Sequence, residues 1–492
     1  MAKLVTKPTL AEAGPGAGKT HAMVDKIAAA VQELPPHRFL AAITYTNAAA
    51  NTIRERLSWR VRPRRNIFIG TTHSFVSRFI LAPCAELLSV LPEDRIYAAV
   101  DVHEKGRGAA RYTENLIKKG IVPYEEMIPK SRLILKIPGI RARICGRLAF
   151  IFVDEFQDVD IGMLEILDHF RKAAKTVLYA VGDPEQYVMG FTYRGQTPPT
   201  HDRIPFFRFK QLSEQKPIIE NHRSNAEIVA FGNQFRSNLK QQAVKPSRNE
   251  PRVLFIPSTE LKEIVRHYQV LSENVETEEE QRTRLYLSEE NATFNSVSDQ
   301  FHLTSVSNLA RKTNTLLGEA LELLSIALDR SQRRICEEFG LSRLQWRASG
   351  ARLLRDLRAG AYGVDQFIVF VSDAFGHSVS KSRVKLIDEG LRMLTAEFTR
   401  DQSAHQCELC SSIRKAKGLQ ADAVLVVAKT ASELKKWLQT DRSCRVGDKQ
   451  DKCRLGYVAF TRPREMLCIA CLKELDSEFN LMLRDLGIEV VH

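Results

Sequence analysis

A run of closely spaced glycines, Ala13-Gly14-Pro15-Gly16-Ala17-Gly18-Lys19-Thr20, stands directly before an alanine-rich stretch from His21 to Gln32. No other feature narrows the possible folds of this chain as much. Glycines at this spacing let the backbone curl until several N–H groups point inward, beside a helix N-terminus that favours negative charge. The sequence therefore predicts a phosphate-binding loop that opens a helix, with Lys19 reaching the β and γ phosphates and Thr20 offering its hydroxyl to Mg2+. Position 13 is alanine where the general pattern has glycine. Candidate nucleotide contacts are Ala13, Gly14, Gly16, Ala17, Gly18, Lys19, Thr20 and His21.

Such a loop needs carboxylates nearby, and Val153-Asp154-Glu155-Phe156-Gln157-Asp158 supplies them. Phe150 to Val153 reads as a strand ending at Asp154, which puts that carboxylate at the sheet edge beside the loop. Asp154 suits Mg2+ coordination, and Glu155 is placed to orient or deprotonate an attacking water. An acidic loop capping a helix is the plainer alternative. Loop and carboxylates together imply binding and hydrolysis of a nucleoside triphosphate.

Short apolar runs read as buried strands at Phe39 to Thr44, Ile67 to Gly70, Leu148 to Val153, Val177 to Val181, Val424 to Val427 and Leu467 to Cys471. Amphipathic helical stretches lie between many of them, the alternation of parallel α/β folds. Residues 76–146 interrupt it, being irregular, proline-punctuated and basic, and read as an inserted subdomain. A second interruption starts near residue 260, passes through the polar Glu273 to Asp299 as a linker or mobile loop, and continues as helical segments from Ser305 to Ala396. A chain of 492 residues allows about three or four domains.

Lys and Arg outnumber Asp and Glu to give a net charge of +13, with basic clusters at Arg60 to Arg65 and Lys130 to Arg147. A polyanionic partner fits this charge, and so does a merely basic surface. No apolar run approaches the roughly 18 residues needed to span a bilayer, so no membrane role is expected. Lys7 and Pro8 break the faint likeness of the first residues to a signal peptide, and the start reads as native and cytoplasmic. The nine cysteines fit a reducing compartment. Cys407 with Cys410 and Cys468 with Cys471 have metal-like spacing, yet residues three apart on a strand point to opposite faces.

Seven further motifs follow the loop in order: Thr44-Tyr45-Thr46-Asn47-Ala48-Ala49-Ala50, Gly70-Thr71-Thr72-His73-Ser74-Phe75, Val153 to Asp158, Val181-Gly182-Asp183-Pro184-Glu185-Gln186, Asn221-His222-Arg223-Ser224, Lys415-Ala416-Lys417-Gly418-Leu419 and Tyr457-Val458-Ala459-Phe460-Thr461-Arg462. In this order they resemble the UvrD/Rep/PcrA-like superfamily 1 DNA helicases. The resemblance implies an α/β fold of two RecA-like P-loop domains with parallel sheets, each carrying an inserted, mostly helical accessory subdomain. The first domain would comprise 1–75 and 147–215, with 76–146 inserted. The second would comprise 216–265 and 400–492, with a reduced accessory region at 266–399.

The same resemblance implies that ATP, with Mg2+ held by Thr20 and Asp154, is clamped between the two domains. Gln186 looks like the γ-phosphate sensor, and Arg223 and Arg462 look like the arginines that stabilise the transition-state charge. Single-stranded DNA or DNA ends would meet Tyr45, Thr46, Asn47, Thr72, His73 and Phe191, although each of these alone also reads as a core or cap residue. The adenine-recognising glutamine has no counterpart before the loop, His222 replaces a stacking tyrosine, and Gln420 replaces a sugar-contacting glutamate next to Gly418. The rim of the base and sugar pocket is thus altered. Thr192-Tyr193-Arg194 follows Phe191 where the family has an arginine, so that Arg194 either keeps that role or the contact is lost. Arg414 stands where the family has histidine.

The compact chain and its ending, Leu481 to Val491, resemble the helicase-like subunit of Gabija anti-phage defence, whose partner is an OLD-type nuclease. Three functions fit. One is a DNA-dependent ATPase that moves 3′ to 5′, and another is a DNA-end sensor that controls a nuclease. The third is a non-hydrolysing scaffold.

Overall fold

The computed structural model describes residues 7–491 apart from 63, 91–95, 100–108, 189–203, 238, 248–249, 251, 276, 278–281, 307–315, 331, 359–362, 385–386, 389, 393, 395–407 and 441–451. The chain forms two compact units, Met1–Ser272 with Val426–His492, and Glu273–Leu425.

The first unit begins with β1 (Thr9–Glu12), the phosphate loop and α1 (Lys19–Gln32), then β2 (Phe39–Thr44), α2 (Asn47–Ser58), β3 (Ile67–Thr71) and α3 (Thr72–Val76). After β4 (Tyr97–Ala99), α4 (Ala109–Lys118), β5 (Ile121–Pro123), α5 (Tyr124–Leu135) and α6 (Pro138–Arg147) come β6 (Leu148–Val153), α7 (Ile161–Ala173), β7 (Val177–Gly182), α8 (Pro205–Leu212) and β8 (Glu214–Gln215). The main sheet is six-stranded and parallel in the order β3-β2-β6-β7-β1-β8. Alternation along β2 shows how it is covered. Leu40 and Ala42 pack with Met23, Val24 and Ile27 of α1 and Ile53 of α2, whereas Ala41 and Ile43 pack with Phe75, Phe79, Met127 and Phe170 on the opposite face. A parallel sheet is stable when both faces are covered in this way.

Residues 76–146 read as irregular in sequence, but the described part is largely helical. Met127, Ile134 and Ile144 join the same core as Ile151 and Phe170 of the main sheet layer. Further strands of this unit, Val253–Ile256, Pro463–Cys471 and Glu489–Val490, are also parallel to one another.

In the second unit, Arg284–Ser288, Glu408–Ser412 and Thr304–Ser305 pair in parallel. This corrects the reading of Glu273 to Asp299 as linker: Leu285, Tyr286 and Leu287 are buried there. Three apolar residues between polar flanks are too few for a periodic signal. Helices Leu316–Leu328, Arg343–Arg358 and Val364–Phe375 enclose a core that includes Leu324, Trp346, Leu353 and Phe367. Among the described residues, no helix is long and apolar enough to cross a membrane.

Candidate nucleotide-binding site

The loop between β1 and α1 has the predicted curl. Gly16 and Gly18 take φ of 74° and 71°, a left-handed conformation that a side chain would strain. Gly18 directly precedes α1, so the first N–H groups of that helix belong to the loop. Lys19 folds back, its Nζ donating to Ala13 O at 3.4 Å and Gly14 O at 3.3 Å.

Residues from further along the chain press on this loop. Asn221 Nδ2 and Gln241 Nε2 donate to Pro15 O at 2.9 and 3.0 Å, and His222 N donates to Gly16 O at 3.0 Å. A Cβ on Gly16 would lie 2.5 Å from Asn221 Oδ1, and one on Gly14 would lie 2.3 Å from the Gln241 side chain. Close approach and its left-handed φ together require glycine at position 16, whereas a side chain at position 14 would have to displace Gln241 from Pro15 O. Asn221 Oδ1 also accepts from the backbone of Arg223 at 2.9 Å and of Ser224 at 3.0 Å, which fixes the segment that carries Arg223.

At the end of β6, Glu155 has φ of 48°, rare for a residue with a side chain. The bend is held from several sides. Glu155 N donates to Asp154 Oδ1 at 2.9 Å, Gln157 Nε2 donates to Glu155 Oε2 at 2.6 Å, and Asp183 N donates to Gln157 Oε1 at 2.9 Å. A Cβ on Gly182 would meet that Gln157 oxygen at 2.5 Å. Strain held this firmly is characteristic of functional sites.

Glu155 stands in the field of Lys19, Arg223 and Arg462. Burial holds Lys19 below its ordinary pKa, against the opposing pull of Glu155, Asp183 and Asp154. Arg223 is pushed down to about 9 by burial and by the guanidinium groups of Arg462 and Arg464. Arg462 is lowered mainly by burial and is only 2% exposed. Its Nε donates to Val458 O at 2.8 Å and its Nη2 to Gln186 Oε1 at 3.5 Å. The buried Nε of Arg223 has no hydrogen-bond partner among the described residues. Crowded, desolvated cations around an N–H nest fit a phosphate chain, because an anion there would relieve both the repulsion and the orphaned donor.

Behind this cluster lies a connection that the sequence reading missed. Asp183 Oδ2 accepts from Gln186 Nε2 at 2.9 Å, Arg236 Nη1 at 2.9 Å and Tyr457 OH at 3.1 Å, and Arg236 Nη1 also donates to Tyr457 OH. Asp183 is fully buried and Arg236 is 4% exposed. Gln186 thus reaches Asp183 on one side and Arg462 on the other. Arg236 lies in no motif, so only its place in the fold reveals it. Replacing Arg236 by alanine should cost about 3–5 kcal/mol of stability by stranding the Asp183 charge. A urea titration with an unchanged midpoint would contradict that pairing.

The remaining predicted residues are more dispersed. His21 is exposed beside Asp25 at 3.5 Å, and His222 is exposed beside Glu220 at 3.1 Å. Tyr45 is 49% exposed at the end of β2. Thr46 caps α2, its hydroxyl accepting from Ala49 N at 3.1 Å, and Asn47 is exposed. Thr72 and His73 are partly buried at the end of β3, with the His73 ring stacked on Tyr124 at 4.4 Å. Gly418, with φ of 87°, and the exposed Gln420 belong to the second unit. In that unit Arg414 lies 3.8 Å from Glu289. Phe191 and Arg194 fall outside the described residues, as does Cys407; Cys468 and Cys471 are both buried in Pro463–Cys471.

A parallel sheet flanked by helices, a glycine nest opening α1 and carboxylates at the end of a nearby strand define the class of P-loop proteins. The family model for the UvrD/REP helicase N-terminal domain matches residues 1–105 and 101–201. The chain is 32% identical over 200 residues to Gabija protein GajB of Bacillus cereus (strain VD045), covering 38% of this chain and 39% of that protein. It is 23% identical over 293 residues to ATP-dependent DNA helicase Rep of Escherichia coli (strain K12), covering 48% of this chain and 42% of Rep. With ATP-dependent DNA helicase PcrA of Leuconostoc citreum it shares 24% identity over 279 residues, covering 46% of this chain and 36% of PcrA. Each match spans less than half of the relative's length. Residues 1–201 thus match the UvrD/REP helicase N-terminal domain, and the chain is similar to UvrD-like helicases and to GajB.

Proposed function

We propose that this chain is a DNA-stimulated ATPase of superfamily 1 helicase type that moves 3′ to 5′ along single-stranded DNA. Two RecA-like halves would enclose the nucleotide, and the observation that carries the reading is the placement of Glu155 among Lys19, Arg223 and Arg462. Gly14, Gly16, Ala17, Gly18 and the first turn of α1 hold the phosphates, with Ala13 at the loop's base. Thr20 and Asp154 hold Mg2+, which neutralises charge on the phosphates when bound. Glu155, fixed by Gln157, orients the attacking water and accepts its proton. Gln186 reports the γ-phosphate to Asp183 and so to Arg236 and Tyr457. His21 and His222 would stand at the rim of the base pocket, while Gly418 and Gln420 keep the base and sugar role that the family resemblance implies. Tyr45, Thr46, Asn47, Thr72, His73 and Phe191 meet the DNA, where an exposed ring such as Tyr45 stacks on bases without reading sequence.

The chain is similar to Gabija protein GajB, and beside the translocase we propose a second reading, a DNA-end sensor whose turnover controls an OLD-type nuclease partner, with a cytoplasmic location proposed for either. The deciding measurement is hydrolysis of ATP and GTP with no DNA and with single-stranded, blunt and 3′-tailed DNA. Stimulation by single strands with displacement of the tailed strand supports the translocase. Stimulation by ends with little displacement supports the sensor, and absence of hydrolysis under every condition overturns both. Tyr45→Ala should weaken stimulation while basal ATP binding persists. If about 6–10 phosphates are contacted, affinity for DNA should fall about 10³–10⁵-fold between about 50 and 200 mM salt.

A further inference from the structure

We propose a second single-stranded DNA-binding strip on this molecule, along the edge of the main sheet opposite the Tyr45 group. Parallel strands place the segments leading into β3, β2, β6 and β7 side by side in that order, about 4.8 Å apart per strand. Hydrogen bonds join them into one surface. Arg38 donates to Gly146 O at 3.0 Å and also to Leu148 O and Lys175 O, Asn66 Nδ2 donates to Arg38 O at 2.9 Å, and Thr176 Oγ1 donates to Leu148 O at 2.8 Å.

The surface is basic and carries an aromatic ring. Segment 59–66 holds Arg60, Arg62, Arg64 and Arg65, and Glu33 is the sole carboxylate in segments 33–38, 59–66, 145–147 and 174–176. Arg60 is paired with Asp25 and Arg64 with Val31 O, while Arg62, Arg65 and Lys175 are exposed. Trp59 is 76% exposed just beyond α2, among these arginines. Past Lys175 the edge continues into a groove of about 400 Å³ between α6 and α7, lined by Arg141, His169, Lys172 and Lys175. Asp168, the neighbour of His169 in sequence, is taken up by Arg171 and Lys172. His169 is held below its ordinary value by burial and then by Arg141 and Lys172, in keeping with a positive groove.

Exposed rings beside cations bind single strands, because bases stack on the ring and phosphates meet the charges. A duplex keeps its bases stacked on each other and leaves Trp59 without a partner. The residues of β2, Phe39–Thr44, separate Arg38 from Tyr45, about 20 Å along the strand. The strip is therefore distinct from the DNA track proposed above and does not depend on the nucleotide site.

Trp59 supplies the readout. The chain has three tryptophans, and Trp346 and Trp437 are fully buried. In the full chain without nucleotide, binding of labelled dT30 is followed by anisotropy together with tryptophan emission and acrylamide quenching. Binding should quench emission and shield Trp59 from acrylamide, with a duplex of equal length doing so far less. The triple variant Arg62→Ser, Arg65→Ser, Lys175→Ser should weaken dT30 binding about 10-fold and lower the salt slope by about 2. Hydrolysis at saturating DNA should stay at the wild-type rate, which separates failure of the strip from failure of the ATPase reading. Trp59→Phe should keep more affinity than Trp59→Ala, a graded effect that misfolding would not give. Absence of dT30 binding, bound dT30 that leaves Trp59 open to acrylamide, wild-type affinity in the triple variant, or equal shielding by polyglutamate would each overturn the proposal.

Discussion

Replacing Glu155 by glutamine is expected to lower kcat for ATP hydrolysis by about 10²–10⁴-fold, the range of general base catalysis, with nucleotide binding kept. Glutamine preserves the size of the side chain and removes its ability to accept a proton from water. The site is built to hold that one carboxylate: the φ of 48° is maintained by Asp154 on the backbone side and by Gln157 on the side-chain side. Gln157 Nε2 donates to Glu155 Oε2, so a glutamine amide must turn its own oxygen toward that donor, which leaves an NH2 group where the second carboxylate oxygen stands. Rate and affinity should therefore separate. Single-turnover hydrolysis and equilibrium binding of a nucleotide analogue test this, and a variant that still turns over at the wild-type rate would remove Glu155 from the reaction. Gln157→Ala should show a smaller loss of kcat, because the base remains while its orientation is released.

The fold was readable where apolar residues form unbroken runs. Phe39–Thr44 and Leu148–Val153 are strands with the bounds that hydropathy suggests, because strands of a parallel sheet are buried on both faces. Thr9–Glu12 was not legible, since it is short and contains a glutamate. Glu12 is nevertheless 7% exposed because Lys210 reaches it at 2.6 Å, a partner that lies far away in sequence. Arg284–Ser288 was hidden for a similar reason: its arginine pairs with Glu408 at 2.6 Å. In both strands a distant opposite charge permits what local polarity argues against.

For the site, residue types at fixed spacing point to the phosphate loop and the carboxylates, whereas Arg223 and Arg462 follow only from the resemblance to the helicase family. Spacing carries chemistry there because a bound phosphate dictates which groups must surround it. The supporting groups carry no such signature. Asn221 and Gln241 converge on Pro15 O, and Arg236 meets Asp183, by contacts between residues 53 to 226 positions apart. The aromatic residues divide differently. Tyr45 is open to solvent, whereas His73 is stacked on Tyr124, and the sequence alone leaves both readings open for each.

Arg462→Ala is expected to lower the hydrolysis rate by about 10³–10⁵-fold, the contribution of an arginine that meets developing phosphate charge. The side chain is almost fully buried, and its Nε is tied to Val458 O, so its position is set before any nucleotide arrives. Nη2 lies 3.5 Å from Gln186 Oε1 and 3.5 Å from Thr461 Oγ1, distances at the long end for hydrogen bonds, so these two cost little to exchange for a stronger acceptor. Lysine should not rescue the variant, because an ammonium group cannot hold Val458 O and a phosphate oxygen in one planar fork. Gln186→Ala should instead lose most of the DNA stimulation and keep basal hydrolysis, since it severs the contact between Asp183 and Arg462 without removing the cation. Pre-steady-state rates for the three variants, measured where circular dichroism shows each folded, separate these roles. Should Arg462→Lys hydrolyse ATP at the wild-type rate, a single positive charge would suffice there, and the planar fork would have no part in the chemistry.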